Sequence, residues 1–527
     1  MPLFDFHVHP TLKSMFSEEE TKTSPWVNID VTKIHWLLRW CTEFPYILGS
    51  QANLVQLSAD GPDIICVAIF VPERGMTNNK LILKQAEGSL QTYLNPSRLK
   101  KINDETFKPY PDLVQEDIQV LLNAERFGIT DKKVKVLSTQ TPYDPEDKSS
   151  IYIIFSVEGC HSLSSTLDKH KITKDEIIHN LDEIADKYPL VSVNVTHLEQ
   201  YPFCNHAYGI QFIANEDFRP TGNRIAEEGL AIIRHCYERK IMIDVKHLSL
   251  ASRRMLVEDI RNRPDFLPIN QPLICTHAGF TGLSYKDIPD YMMDFKKERG
   301  KEYSYILWAK RKIYNTLNGL MTAFNPSSIN LYDEDIMAIV RSGGMIGLNL
   351  DKRILGYTEG DSRPAAMNEF AFEEEYISNA EKDVYLSKRK IGTKVDDFNC
   401  ITMQDVLEGG DVNPALADYH LCHFMSHVLH FIRVVQAAGD YDIQQALSQL
   451  CIGSDFDGLI NPVRCCMTVT DINTLKKSFR NKFIPYARAN KELVSLPRDF
   501  DIERFTEQLF FENGKDFILG RLQALCL

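Results

Sequence analysis

The sequence has no apolar run approaching the ~20 residues that a bilayer-spanning helix needs. It has no long tract of one charge, no low-complexity segment and no repeated unit of its own. The 12 cysteines lack the paired spacing of a disulfide framework. Cys66, Cys275 and Cys451 fall inside apolar runs and read as small buried hydrophobes of a reducing compartment. Basic patches are missing too, and the formal net charge of -13 argues against nucleic acid or an anionic membrane surface as a partner. A secretion leader is not expected, because a short strand with a polar tip occupies the opening residues. These absences leave a soluble, cytoplasmic protein as the expectation.

The 527 residues that remain to be explained are 44% hydrophobic and 25% charged, the balance of an ordinary folded protein. Eight short apolar runs stand out: Leu3–Phe6, Ile64–Val71, Ile151–Val157, Leu190–Thr196, Ile241–Lys246, Pro272–Thr276, Met345–Leu350 and Leu450–Ser454. Their hydrophobicity is continuous rather than alternating, as in strands buried on both faces of a parallel sheet. Helical patterns lie between them, at Ile34–Thr42, Leu81–Tyr93, Lys174–Tyr188, Ile225–Lys240, Arg253–Asn262, Glu334–Arg341 and Phe424–Ala438. Eight strand–helix units predict a (β/α)8 TIM barrel.

Such a barrel takes about 250 residues, so one barrel domain over 1–527 must carry long insertions. These fall at about 72–150, at 282–326 with the helix-like run Asp294–Lys312, and at 352–418 with the acidic Glu369–Glu375 and Gly409-Gly410. All three follow the C-terminal ends of strands, where they would wall or lid a pocket; any one could instead serve a homodimer contact.

The barrel reading fixes where chemistry should lie, because active sites of this fold sit at the C-terminal ends of the strands. Those ends carry His7-Val-His9, Glu158, His197, His247, His277 and Asp455. Imidazoles and a carboxylate are ligands for zinc and similar ions. Four histidines with one glutamate exceed the needs of a single ion with an open position, and a carboxylate such as Glu158 can bridge two. A pair of ions of this kind, Zn(2+) for preference, activates water and polarises a carbonyl. Asp455, in Gly453-Ser-Asp-Phe-Asp-Gly458, would take the proton of the water and pass it to a leaving group.

Each residue has a plainer use. Gly159 could mark a corner of positive φ beside Glu158, His197 could be a bonded core histidine, and Asp455 and Asp457 could cap a turn. Those explanations must all hold at once, whereas one metal site accounts for the whole set. His420, His423, His427 and His430 lie on neighbouring positions of one helix expected outside the barrel, without a His-Glu-x-x-His pattern. Cys160, Cys204 and His206 lie near site candidates and could line the pocket.

The ordered motifs resemble the membrane (renal) dipeptidase family of metallopeptidases, within the amidohydrolase superfamily. The matching stretches are Phe155–Leu163, Asn194–Leu198, Met242–Ser249, Pro272–Ala278, Gly343–Asn349 and Ile452–Gly458. The resemblance implies a zinc hydrolase of dipeptides in which Glu158 bridges two ions, His7 binds one, and His247 and His277 bind the other. It implies substrate contact for His197 and proton transfer for Asp455. His9 stands where the family has an aspartate; His-x-His is common elsewhere in the superfamily and keeps His9 a ligand. The stretch Ser328-Ile-Asn-Leu331 lacks the arginine with which the family holds a substrate carboxylate, and Arg353 is a candidate substitute. Alternatives are lactone or phosphoester hydrolysis, deamination, or a metal-binding barrel without turnover. Phosphoesterases that open with His-x-His usually close with Asp-x-His, and this chain has Asp455-Phe-Asp457 instead.

Overall fold

All eight apolar runs form strands in a computed structural model of the chain, and the strands close on one another. The structure describes residues 2–13, 44–78, 95–103, 110–123, 132–209, 216–286, 303–310, 313–315, 321–356, 372–386 and 416–525, with 31, 80 and 84. The barrel strands are β1 (Phe4–Val8), β2 (Ile64–Ile69), β3 (Ser150–Glu158), β4 (Leu190–Asn194), β5 (Met242–Ile243), β6 (Ile274–Ala278), β7 (Met345–Leu348) and β8 (Leu450–Ile452). Neighbours pair in parallel from β1 to β5 and again from β6 to β8. The two arcs join through a parallel bridge between Asp244 and Ile274 and another between Val8 and Phe456. The result is the predicted eight-stranded β/α barrel.

Side-chain direction divides its interior into two halves. Phe4, Phe6, Ile64, Cys66, Tyr152, Ile154, Val191, Met242, Ile274, Met345 and Cys451 form one apolar cluster, drawn from all eight strands. C-terminal helical residues Phe511, Ile518 and Leu522 join this cluster and close the lower end. Further along the same strands the inward positions turn polar: Ser156 and Glu158 on β3, Ser192 and Asn194 on β4, then Asp244 and Thr276, all buried.

Three register shifts lie in the barrel, one of them in β4, where Phe155 pairs with Leu190 but Ser156 with Ser192. The other two decide which histidines the polar half can present. Against β2, Asp5 pairs with Ile65 but Val8 pairs with Val67, so β1 holds one extra residue. Against β7, Cys275 pairs with Ile346 but Ala278 pairs with Leu348, so β6 does the same. A one-residue slip reverses which face a side chain occupies. Phe4 and Phe6 therefore fill the barrel while His7 and His9, of opposite parity, also turn inward. Likewise Thr276 and His277, adjacent in sequence, both serve the interior.

Helices on the outside follow the expected pattern. Lys174–Ala185 starts at Thr173, whose side chain accepts from the Glu176 amide, and buries Ile177, Leu181 and Ile184 at helical spacing. Glu227–Glu238 and Asp333–Arg341 also bury apolar residues at helical spacing, and the long Leu416–Ala438 lies among the outer helices. Among the described residues, no helix is long and apolar enough to cross a membrane.

One expectation is corrected. Within the helix-like run Asp294–Lys312, Tyr303–Lys310 is a strand, paired antiparallel with Phe372–Ser378. Its Tyr-Ser-Tyr-Ile-Leu-Trp core has the aromatic and branched composition of a strand, which the charged flanks conceal. The excursions after β6 and β7 thus meet each other, and Glu375 from the second accepts from the Ser328 amide of the first at 3.0 Å. Ile34–Thr42, Gly409-Gly410 and nearly all of Leu81–Tyr93 lie outside the described residues.

Closure brings backbones unusually near at the seam. A Cβ on Gly453 would lie 1.7 Å from the Thr276 carbonyl oxygen. Gly453→Ala should therefore destabilise the chain by ~1–3 kcal/mol, the usual cost of overpacking, seen as a lower urea midpoint. An unchanged midpoint would contradict this close approach.

Candidate metal centre

The site is built from strand ends and the turns that follow them. His7 and His9 arrive on the bulged end of β1, and His277 on the bulged end of β6. Glu158 closes β3, with Gly159 behind it at φ +80°, so the corner and the site residue coexist. His247 and Asp455 themselves adopt left-handed backbone, at φ +68° and +63°. Non-glycine residues held there are strained and concentrate at functional sites.

These turns bring the predicted residues together. Glu158 Oε1 lies 3.1 Å from His247 Nε2, 3.4 Å from His7 Nε2 and from His277 Nε2, and 3.6 Å from His197 Nε2. Its Oε2 lies 3.2 Å from His9 Nε2. Asp455 Oδ1 is 3.3 Å from His9 Nε2 and 3.9 Å from His7 Nε2. Among the described residues, three sets of ligand atoms are close enough to share an ion: His7, His9 and Asp455; Glu158, His247 and His277; and His7, Asp244 and His277.

Hydrogen bonding fixes the tautomers of two of these rings. The Thr276 hydroxyl donates to Asp244 Oδ2 at 2.5 Å, and the same oxygen lies 2.9 Å from His7 Nδ1 and 3.0 Å from His277 Nδ1. With its one proton given to Asp244, Thr276 can only accept from the two rings. Both Nδ1 atoms then carry hydrogen, and both Nε2 atoms turn lone pairs inward. His7 Nε2 faces His9 Nε2 at 3.0 Å, and His277 Nε2 faces His247 Nε2 at 3.1 Å. Acceptors converging on an anionic carboxylate repel unless a cation lies among them, and a ring whose other nitrogen is anchored is the usual metal-ligating histidine. The donor set therefore fits divalent ions.

Charge on His247, His277 and Glu158 agrees, whereas His9 holds a proton that an ion would have to displace. Burial and the neighbouring His197 hold His247 well below the ordinary histidine value, and burial and His7 do the same for His277, so both rings are neutral. Burial favours the neutral acid of Glu158, but His197, His7 and His247 outweigh it and keep it ionised. Burial also opposes charge on His9, yet hydrogen bonds to Asp455 and Glu158 raise it to about 10.

His197 stands slightly apart, and its partner is a residue the sequence reading left unassigned. Its Nδ1 is paired with Glu73, beyond the end of β2, and Glu73 also accepts from the Leu198 amide at 3.3 Å. Burial would raise Glu73, but the His197 charge lowers it to about 2, and Glu73 in turn raises His197 against burial. No spacing motif marks Glu73, which lies just beyond the second apolar run. Thr276 and Asp244 were hidden inside apolar runs in the same way.

A cavity of about 80 Å³ opens over the cluster, lined by His9, Glu158, His197, His247, His277 and Asp455, with Lys246 and Arg353. Leu12, Phe70, Met76, Leu198, Ile329, Ile354, Leu459 and Ile460 supply the apolar wall. Arg353 is held by Asp351, with Nε 3.1 and 3.0 Å from the two carboxylate oxygens.

Other candidates fall elsewhere. Asp457 accepts from the Gln51 and Ala52 amides and pairs with Lys13, a fastening for the chain after β1. His420, His423, His427 and His430 lie buried on Leu416–Ala438, outside the barrel. His427 bridges the Phe280 amide and the Leu355 carbonyl, and His430 meets Asp333 at 2.7 Å. Cys160, Cys204 and His206 are buried but do not line the cavity.

No family model and no curated protein matches the sequence. Among solved structures, the chain is similar to a metallo peptidase from Rhodobacter sphaeroides liganded with a phosphinate mimic of the dipeptide L-Ala-D-Ala. Identity is 16% over 99% of each chain, with a TM-score of 0.48. A metallo peptidase described as dipeptidase AC gives 16% identity over 99% of this chain and 98% of the other, with a TM-score of 0.48. The probable dipeptidase PvdM from Pseudomonas aeruginosa gives 12% identity over 90% of each chain, with a TM-score of 0.44.

The Glu73–His197 pair makes a pH prediction. A carboxylate lowered from 4.5 to about 2 contributes stability that is complete above 4.5 and lost as pH falls towards 2. Glu73→Gln should remove that contribution and lower the pKa of His197, followed by its ring proton shift in an NMR titration. A His197 titration unmoved by Glu73→Gln would contradict the pairing.

Proposed function

We propose that the chain is a zinc-dependent hydrolase that cleaves the amide bond of a dipeptide or a similar small amide. The observation that carries this reading is the convergence of five imidazole Nε2 atoms on the two oxygens of one buried carboxylate. The motif resemblance described above supports the amide as the bond broken. Glu158 would be shared between two ions, with His7 and His9 holding one and His247 and His277 the other.

Ions so held would supply a water acidic enough to ionise near neutrality and a Lewis acid for the carbonyl. The chain's own residues would do the rest. Asp455, on a strained turn with Oδ1 towards His9 and Oδ2 3.5 Å from Asn349 Nδ2, would accept the proton of the attacking water. It would return that proton to the leaving nitrogen. His197, kept protonated by Glu73, would donate to the oxygen on which negative charge develops. The apolar wall of the cavity would exclude bulk water and receive small side chains.

Two results are expected. Removing divalent ions with a chelator should abolish hydrolysis of L,L- and L,D-dipeptides, and added zinc should restore it. Asp455→Asn should lower kcat by roughly 10²-fold or more, the span of a lost general acid–base, with the metal content unchanged by elemental analysis. Turnover in the chelated protein, or undiminished turnover in Asp455→Asn, would sink the mechanism.

A further inference from the structure

Lys246 precedes His247 and is almost wholly inaccessible, at 1% exposure. Its ammonium has three donors, yet it makes one hydrogen bond to a described residue, to the Ile329 carbonyl at 3.4 Å. No carboxylate among the described residues lies within ion-pair distance of it. Two comparably buried cations are paired, Arg253 with Asp335 at 3.0 Å and Lys476 with Glu507 at 2.7 Å. Burial without such a partner disfavours its charged form, and its position on the cavity wall leaves it open to an anion from outside.

The carbonyl beside it is held rigidly. Arg253 Nη1 donates to the Ser328 carbonyl at 2.6 Å and Nη2 to the Asn330 carbonyl at 3.1 Å. The intervening Ile329 carbonyl is left to Lys246. Glu375 fixes the Ser328 amide from the far side. Lysine and loop thus form a prearranged donor beside the imidazole–carboxylate cluster, and the carboxylates nearby are already engaged. Glu158 is ringed by histidines, Asp244 accepts from Thr276, and Asp455 faces His9. Arg353, the other cation on the wall, is engaged by Asp351.

We propose that Lys246 is the specificity-determining residue that receives a carboxylate of the substrate, so that the site selects anionic amides over neutral ones. A single ammonium in a cavity of about 80 Å³ suits a carboxylate. The proposal rests on the hydrolase reading, but it can be tested apart from turnover.

Alanyl-alanine and its C-terminal amide are titrated by calorimetry into zinc-loaded Asp455→Asn protein, alone and combined with Lys246→Met, Lys246→Gln or Lys246→Arg. The parent should bind the acid about 10- to 100-fold more tightly than the amide, the span of a charged hydrogen bond. Lys246→Met and Lys246→Gln should bring the acid down to the affinity of the amide, leaving amide binding and zinc content in place, while Lys246→Arg retains the preference. An acid-to-amide ratio unmoved by both neutral variants overturns the proposal, as does a parent that shows no preference or binds neither probe. Hydrolysis by the wild-type chain is scored separately. Lys246-dependent preference without hydrolysis supports the anchor and sinks the hydrolase reading; hydrolysis with Lys246-independent preference does the reverse.

Discussion

Thr276 has one hydroxyl proton, and the upper half of the barrel is arranged around where that proton goes. Given to Asp244, it leaves an oxygen that can only accept, and so sets the tautomers of His7 and His277 together. Both rings then offer Nε2 lone pairs to the space around Glu158. If Thr276 donated to either ring instead, that ring would turn its proton towards the carboxylate and cease to be a ligand. Asp244 is itself fixed by the Lys246 amide at 2.9 Å. The orientation of the cluster is thereby tied to the backbone of β5 and β6.

The same dependence explains the bulges in β1 and β6, two of the three in the barrel. A regular strand alternates its side chains and could send either Phe6 or His7 inwards, and either Thr276 or His277. One extra residue in β1 lets the lower barrel stay packed with phenylalanine while the histidines reach the site. The extra residue in β6 puts the threonine and the histidine that it orients on the same side. Local irregularity in an otherwise regular barrel is thus what converts strand ends into a cluster.

That also marks where sequence reading succeeded and where it stopped. Strand identity was legible because burial on both faces forces uninterrupted apolar runs, and all eight were found. Glu158, His247, His277 and Asp455 were legible because a polar residue ending such a run has few other reasons to be there. Thr276 and Asp244 were not, since a small polar residue inside an apolar run looks like tolerated core. Glu73 and Lys246 escaped because their importance lies in which groups the fold brings beside them, across 124 residues for Glu73 and His197. The strand Tyr303–Lys310 was obscured by its charged flanks and declares itself only through pairing with a second excursion.

The central claim is that the cluster around Glu158 is a metal centre rather than a buried polar network. Anomalous diffraction at the zinc edge from crystals of the zinc-reconstituted chain tests it most directly. The account predicts two peaks sharing the Glu158 carboxylate, one beside His7 and His9 and the other beside His247 and His277. Absence of any anomalous peak at Glu158 under those conditions would contradict it.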